Sequence, residues 1–212
     1  MKKILAFVTA VVLIMSLASC VKSDEELILG SWTTELDVTE VFNEMFAKEE
    51  ATKGYFNISE FKLGVTMTFK DDGTYEMTID EESFDKSMEA LREDLVDGFT
   101  DYIADTAHKA GITSEAFLKL MGHSSVYQFV DSIFTEDMIN DALEEFKASG
   151  KYLLKDGKIF TTSDIDEEID EDEYETYELS ANELKFTDHF GDDEEGSEIM
   201  KKMYPIVWER AN

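Results

Sequence analysis

The clearest pattern in this chain spans residues 63–79 and reads Leu63-Gly64-Val65-Thr66-Met67-Thr68-Phe69-Lys70-Asp71-Asp72-Gly73-Thr74-Tyr75-Glu76-Met77-Thr78-Ile79. Apolar and polar residues alternate on both sides of a central Asp-Asp-Gly, which is the pattern of strands with one buried face and one wet face. A glycine beside an aspartate supplies the positive φ that a tight turn requires. The segment therefore predicts a β-hairpin.

Further strands are predicted on both sides of this hairpin. An opening strand is expected at residues 27–36, because β-branched and aromatic residues are concentrated there. A second hairpin is expected from residues 152–154 and 159–162, and a third from residues 174–179 and 184–190. A closing strand is expected at residues 204–208. About eight strands, mostly adjacent in sequence, favour an antiparallel up-and-down β-barrel or a strongly rolled sheet, since closure removes exposed edges.

Helical spacing of apolar residues separates these strands in two places. A short amphipathic helix is expected from residue 38 to about residue 50. A longer helical insertion is expected at about 81–149, with one long helix ending near Gly111 and three shorter ones, the last of which stops at Gly150. The predicted fold class is therefore α+β.

The N-terminal residues have the pattern of an export signal. Lys2 and Lys3 precede an apolar run at residues 4–15, and Leu17-Ala18-Ser19 then leads to Cys20, the sole cysteine. About twelve apolar residues are too few for a bilayer core about 30 Å thick, but they suit the apolar core of a signal peptide. Residues 1–19 are therefore expected to be removed.

The tetrapeptide ending at Cys20 resembles the lipobox of bacterial lipoproteins. The resemblance implies acylation of Cys20, a lipidated tether at residues 20–26, a folded domain at residues 27–212, and anchoring to the cell membrane or envelope on the extracytoplasmic side. The membrane is then a partner through the acyl anchor. The alternative is an ordinary secreted protein whose cysteine happens to lie at the cleavage site.

A second resemblance concerns the barrel. Gly30-Ser31-Trp32, a short helix after it and the following meander resemble a lipocalin-like barrel, and Arg210 stands where that family packs a basic side chain over its tryptophan. The insertion at about 81–149 departs from that plan. The resemblance implies that a small hydrophobic ligand binds inside the barrel.

The alternating apolar residues of the strands are the candidates for lining such a cavity. An eight-stranded barrel either fills with side chains or holds one small ligand, so these residues either pack as core or form a pocket. The candidate ligand-binding residues are Val65, Met67, Phe69, Tyr75, Met77, Ile79, Tyr177, Leu179, Leu184 and Phe186.

Acidic residues dominate the composition, with 49 Asp and Glu against 19 Lys and Arg and a net charge of −30. Such a surface repels nucleic acid, so no nucleic-acid partner is expected. The acidic runs at residues 164–173 and 192–195 are better explained as solvated loops than as calcium sites, because the longer run has neither glycine nor the spacing of a calcium loop. No metal and no cofactor are expected.

No enzyme signature is recognisable in the sequence. Asp188 and His189 are adjacent on a strand that could face solvent, and adjacent strand residues point to opposite faces, which argues against a dyad. A non-enzymatic binding protein is therefore expected. Two alternatives remain: a cell-surface interaction or inhibitor module that uses the helical insertion and the acidic surface, its protein partner unknown, and an enzyme whose titratable groups cluster in a cleft.

Overall fold

Eight antiparallel strands close into a barrel in which each strand is hydrogen-bonded to its neighbours in chain order. This computed structural model describes residues 22–145, 147–191 and 202–211. The closed order of the strands confirms the predicted up-and-down barrel. The strands are β1 (Gly30–Asp37), β2 (Lys62–Phe69), β3 (Thr74–Ile79), β4 (Ala148–Lys155), β5 (Lys158–Thr161), β6 (Tyr174–Leu179), β7 (Glu183–Phe190) and β8 (Ile206–Arg210).

Helices flank the barrel, and six of them lie in the described parts of the chain. The insertion between β3 and β4 contains four of them, as expected. None of the described helices is both long enough and apolar enough to cross a membrane. The helices are α1 (Asp24–Ile28), α2 (Thr39–Lys48), α3 (Glu81–Lys109), α4 (Ser114–Leu120), α5 (Val126–Ile133) and α6 (Glu136–Glu145).

The hairpin β2–β3 forms with the expected register. Val65 lies opposite Ile79, Met67 opposite Met77, and Phe69 opposite Tyr75. Five of these six side chains, all but that of Met77, are buried, because the apolar face of the hairpin is turned into the barrel.

The opening strand is shorter than predicted, because Ile28 belongs to a helix. Ser23 and Glu26 form a reciprocal capping box at the start of α1, and this local signal outweighs the β-prone composition that follows. Helix α1 therefore begins within the segment expected to be a tether. Ile28 is fully buried, and its carbonyl oxygen accepts a hydrogen bond of 2.7 Å from Nε1 of Trp32.

The last helix of the insertion also ends earlier than predicted. Helix α6 ends at Glu145 and β4 starts at Ala148, so Gly150 is a strand residue and not a helix stop. A Cβ atom at Gly150 would overlap the backbone carbonyl of Thr162. The glycine is required for close approach of two backbones, a reason that is invisible in the local pattern.

The connections between strands differ at the two ends of the barrel. One end carries the tight turns at residues 70–73, 156–157 and 180–182, while the other carries the long connections at residues 38–61, 80–147, 162–173 and 191–205. Helix α3 starts at this second end, where Oγ of Ser83 accepts from the backbone N–H of Gly64 at 2.9 Å. The long segments can therefore shape a binding site at one end only.

Candidate functional site

The end of the barrel with tight turns is closed by Trp32, which is fully buried. The guanidinium of Arg210 lies 4.2 Å from the ring centroid of Trp32 and donates to the carbonyl oxygens of Leu27, Leu29 and Ala181. The contact between Arg210 and Trp32 is the one that the resemblance implied. Because α1 is held in the same hydrogen-bonded assembly, the interior of the barrel is closed at this end.

A cavity of about 370 Å³ lies inside the barrel towards the other end. Its position follows from its lining, which includes the ends of β1 and β3 and the beginnings of β2, β6 and β8. The walls are mostly apolar, as in pockets that hold small organic molecules. The lining residues are Leu36, Val38, Leu63, Val65, Met67, Tyr75, Met77, Ile79, Thr161, Glu175, Phe186, Met203, Tyr204, Ile206 and Trp208.

The structure divides the predicted lining residues into two groups. The first group lines the cavity: Val65, Met67, Tyr75, Met77, Ile79 and Phe186. The second group lies outside the lining: Phe69 and Leu184 are buried in the core, Leu179 packs against that core, and the hydroxyl of Tyr177 donates to Asp24 of α1 at 2.8 Å. The alternation identifies inward residues, but not how far along the barrel axis each one lies.

Among the described residues of the lining, Glu175 is the one with a carboxylate, and it lies at the end of the barrel that carries the long connections. Its Oε1 atom lies 3.5 Å from Nδ1 of His189, and the two side chains are only 21% and 22% exposed. The ring of His189 stacks on that of Tyr204, with centroids 6.3 Å apart. Within the described part of the chain, Nδ1 of His189 has no hydrogen-bond partner. The carboxylate therefore has a neighbouring imidazole but no full hydrogen bond with it.

A β-bulge brings Glu175 and His189 together. Tyr177 pairs with Phe186, but Thr176 pairs with Asp188, so β7 contains one extra residue at this point. In a regular strand, His189 would face away from the side of Phe186, because the two are an odd number of residues apart. The extra residue reverses that alternation, and His189 becomes the partner of Glu175. His189 is therefore turned towards Glu175, although its side chain remains partly exposed.

Sequence reasoning missed Glu175, His189 and Tyr204 as a group. Glu175 was one carboxylate among many, and the bulge that re-aims His189 has no glycine or other local signal in β7. Tyr204 is separated from both by sequence and comes close only when the barrel closes.

Burial controls the protonation of these side chains. Removal of the Glu175 carboxyl from water raises its pKa, an effect that nearby His189 and Tyr204 only partly oppose. Burial, reinforced by the carboxylates of Glu175 and Asp188, raises the pKa of Tyr204 well above its usual range. Tyr204 therefore remains a hydrogen-bond donor at neutral pH. The charge of Glu175 is costly, because no Lys or Arg in the described part of the chain forms an ion pair with it.

A surface groove of about 730 Å³ borders the cavity at the seam between β1 and β8. Two residue pairs join β1 and β8 across this seam, Trp32 with Arg210 and Thr33 with Glu209. Beyond them the contact continues through a side chain, as Oγ1 of Thr34 donates to the carbonyl oxygen of Val207 at 2.7 Å. The groove and the cavity share Leu36, Met203 and Ile206. These three side chains therefore separate the surface groove from the internal cavity.

The acidic run at residues 164–173 forms the connection from β5 to β6, at the same end of the barrel as Glu175. Lys151 donates to the carbonyl oxygen of Glu167 at 2.9 Å, and Lys155 pairs with Glu171 at 2.5 Å. Among the described residues, no group of three His, Cys, Asp or Glu side chains is placed to hold a metal ion. Residues 1–19, Cys20 and the acidic run 192–195 lie outside the described residues.

Comparison of the chain with protein-family models, with curated proteins and with solved structures found no match.

Proposed function

We propose that this protein is a lipid-anchored extracytoplasmic binding protein that holds a small hydrophobic molecule in its barrel. The observation that carries the proposal is the cavity of about 370 Å³ whose walls are mainly the inward apolar side chains of the strands. Ligand pockets in proteins have volumes of about 300–1,000 Å³ and are predominantly apolar. Burial of an apolar ligand contributes about 25 cal/mol for each Å² removed from water.

The proposed anchor is an acyl modification of Cys20. Cys20 is four residues before Asp24, the first residue of α1, and four extended residues span at most about 14 Å. Helix α1 lies at the barrel end closed by Trp32, since its Ile28 carbonyl receives the Trp32 hydrogen bond. An anchor at Cys20 would hold that closed end near the membrane, with the cavity end directed away from it.

The cavity proposal is tested with decanol, an uncharged apolar probe, by isothermal titration calorimetry. The protein is the chain from residue 20 onward with Cys20→Ser, which retains every element that the structure describes. We expect one decanol per chain. Met77→Trp fills part of the cavity and should weaken binding by about tenfold or more, whereas Leu153→Trp, on an exposed residue of β4, should not. No binding, or equal binding by both variants, would contradict the proposal.

The proposed anchor has its own test. Metabolic labelling with a radioactive fatty acid should label the wild-type protein in its native host and leave Cys20→Ala unlabelled. Equal labelling of the two proteins would exclude Cys20 as the acylated residue.

In this proposal the protein binds its ligand without transforming it. The cluster of Glu175, His189 and Tyr204 is the kind of feature that an enzyme would also have, since burial shifts the pKa values of two of its members. The two functions differ in what happens to a bound native ligand. A ligand extracted from the purified protein should be recovered chemically unchanged after prolonged incubation, and a product dependent on Glu175 would favour the enzyme.

A second candidate function is an interaction module on the helical insertion. The observation that favours it is the exposure of large apolar side chains there: Leu120 is 79% exposed, Tyr127 47% and Ile133 40%. Contact surfaces between proteins commonly contain exposed large apolar side chains. A photo-crosslinking residue at position 120, with the exposed position 115 as control, should give a specific protein adduct on cells only if this function is correct.

A further inference from the structure

We infer that the barrel cavity selects a cationic amphiphile, whose apolar part lies among the strand side chains and whose positive group lies beside Glu175. This inference rests on the proposed function and specifies the chemical class of the ligand.

The cavity combines a long apolar wall with one carboxylate. The inner part is formed by aliphatic and aromatic side chains such as Val65, Met67 and Trp208. Glu175 is the second residue of β6, so its carboxyl group marks the end of the cavity next to the long connections. An apolar chain with one polar end matches this arrangement in shape and polarity.

The described residues compensate the charge of the Glu175 carboxylate only in part. Among the described residues, its nearest basic group is the imidazole of His189, at 3.5 Å and without a well-formed hydrogen bond. The lining also contains the neutral hydroxyl groups of Tyr204 and Thr161, and that of Tyr204 is close enough to Glu175 to affect its pKa. A buried carboxylate is stabilised most by a hydrogen-bonded cation, so a ligand ammonium group offers what the described part of the chain does not supply.

The negative charge around the cavity also favours a positively charged ligand. The acidic run 164–173 leads directly into β6, and Asp188 is close enough to Tyr204 to affect its pKa. The whole chain carries a net charge of −30. A fatty acid would place a second carboxylate beside Glu175, and like charges at such a distance repel strongly away from bulk water. An uncharged head group would leave the Glu175 charge uncompensated.

The inference is tested by a series of probes that share one apolar chain. Decylamine, decanol and decanoate are titrated at pH 7 into the Cys20→Ser protein that starts at residue 20. A primary alkylamine, like the lysine side chain, is protonated at that pH. We expect decylamine to bind at least about tenfold more tightly than decanol, and decanoate to bind most weakly.

Two variants assign the selectivity to one side chain. Glu175→Gln removes the charge with little change in shape, and should reduce decylamine affinity about tenfold or more while leaving decanol affinity equal or higher. Glu178→Gln is the matched control, because Glu178 is on the same strand with its side chain 70% exposed and paired with Lys185 on the outer surface. This control should retain the preference for the amine.

The outcomes separate this inference from the proposed function. Decanol binding without preference for decylamine, or a preference that Glu175→Gln leaves unchanged, would overturn the inference and leave the cavity proposal standing. Failure of all the probes to bind would overturn both.

Discussion

The carboxylate of Glu175 and the imidazole of His189 are cross-strand neighbours inside the barrel wall, with Oε1 and Nδ1 3.5 Å apart. Their proximity depends on a single extra residue in β7, which turns His189 to the same side as Glu175. A charged group at this position costs folding free energy, and proteins tend to retain such groups where binding or chemistry requires them.

Glu175→Gln should stabilise the protein at neutral and higher pH. The folded state raises the pKa of this carboxyl above its ordinary value of 4.5, so the folded protein binds the proton more tightly than the unfolded chain does. Wild-type stability is therefore lost progressively as the pH rises from about 4.5 through the folded pKa. The gain from the substitution should be small at about pH 4 and larger at about pH 8, as measured by urea unfolding.

Removal of any one negative charge also relieves general repulsion in so acidic a chain. Glu178→Gln measures that contribution, because its side chain is on the outer surface. If both variants showed the same dependence on pH, burial of Glu175 would not be the cause.

Gly150→Ala should destabilise the barrel severely. The new Cβ atom would overlap the backbone carbonyl of Thr162, which cannot move without breaking the pairing of β4 with β5. The cost should exceed about 3 kcal/mol in the free energy of unfolding, whereas the exposed neighbour Ser149→Ala should change it by less than about 0.5 kcal/mol. Denaturant titration of both variants provides the comparison, and a mild effect at Gly150 would contradict the close approach.

Gly98→Ala should destabilise the protein, although the same change within a helix normally stabilises it by up to about 1 kcal/mol. Gly98 lies in α3, and a Cβ atom there would overlap the ring of Phe56. In a Phe56→Ala background the ring is gone and only the backbone carbonyl oxygen of Tyr55, 2.9 Å from the Cβ position, still opposes the methyl group, so Gly98→Ala should cost much less than in the wild type. A double-mutant cycle of unfolding free energies tests this, and additive effects would show that the two residues are independent.

Arg210→Ala should lower the free energy of unfolding by about 2–3 kcal/mol, since three carbonyl hydrogen bonds and the stacking on Trp32 are lost together. Arg210→Lys should recover only part of the loss, because an ammonium lacks the planar fork. The control is Arg92→Ala, because Arg92 forms an exposed ion pair with Asp131. This substitution should lower the free energy of unfolding by less than about 1 kcal/mol. Equal losses for Arg210→Ala and Arg92→Ala would show that the closed end is not held by Arg210.

Local patterns were sufficient for most of the secondary structure. The alternation in β2 and β3 and the helical spacing in α3 each repeat over enough residues to be unambiguous. Errors occurred where one local signal competed with another, as at Ile28, where the capping box of Ser23 and Glu26 prevails. Gly150 was misassigned because its role depends on Thr162, which directly follows β5 and is distant in sequence from the helical pattern around Gly150.

The residues themselves were enough to predict an eight-stranded barrel with a helical insertion, because alternation, helical periodicity and turn sequences are encoded within short stretches of chain. The candidate site was not encoded in that way. Closure of the barrel selected which inward residues surround a cavity and which, like Phe69 and Leu184, fill the core. The bulge in β7 then placed His189 beside Glu175, since the direction of a side chain depends on register with the neighbouring strand, and register is settled only when distant strands pair.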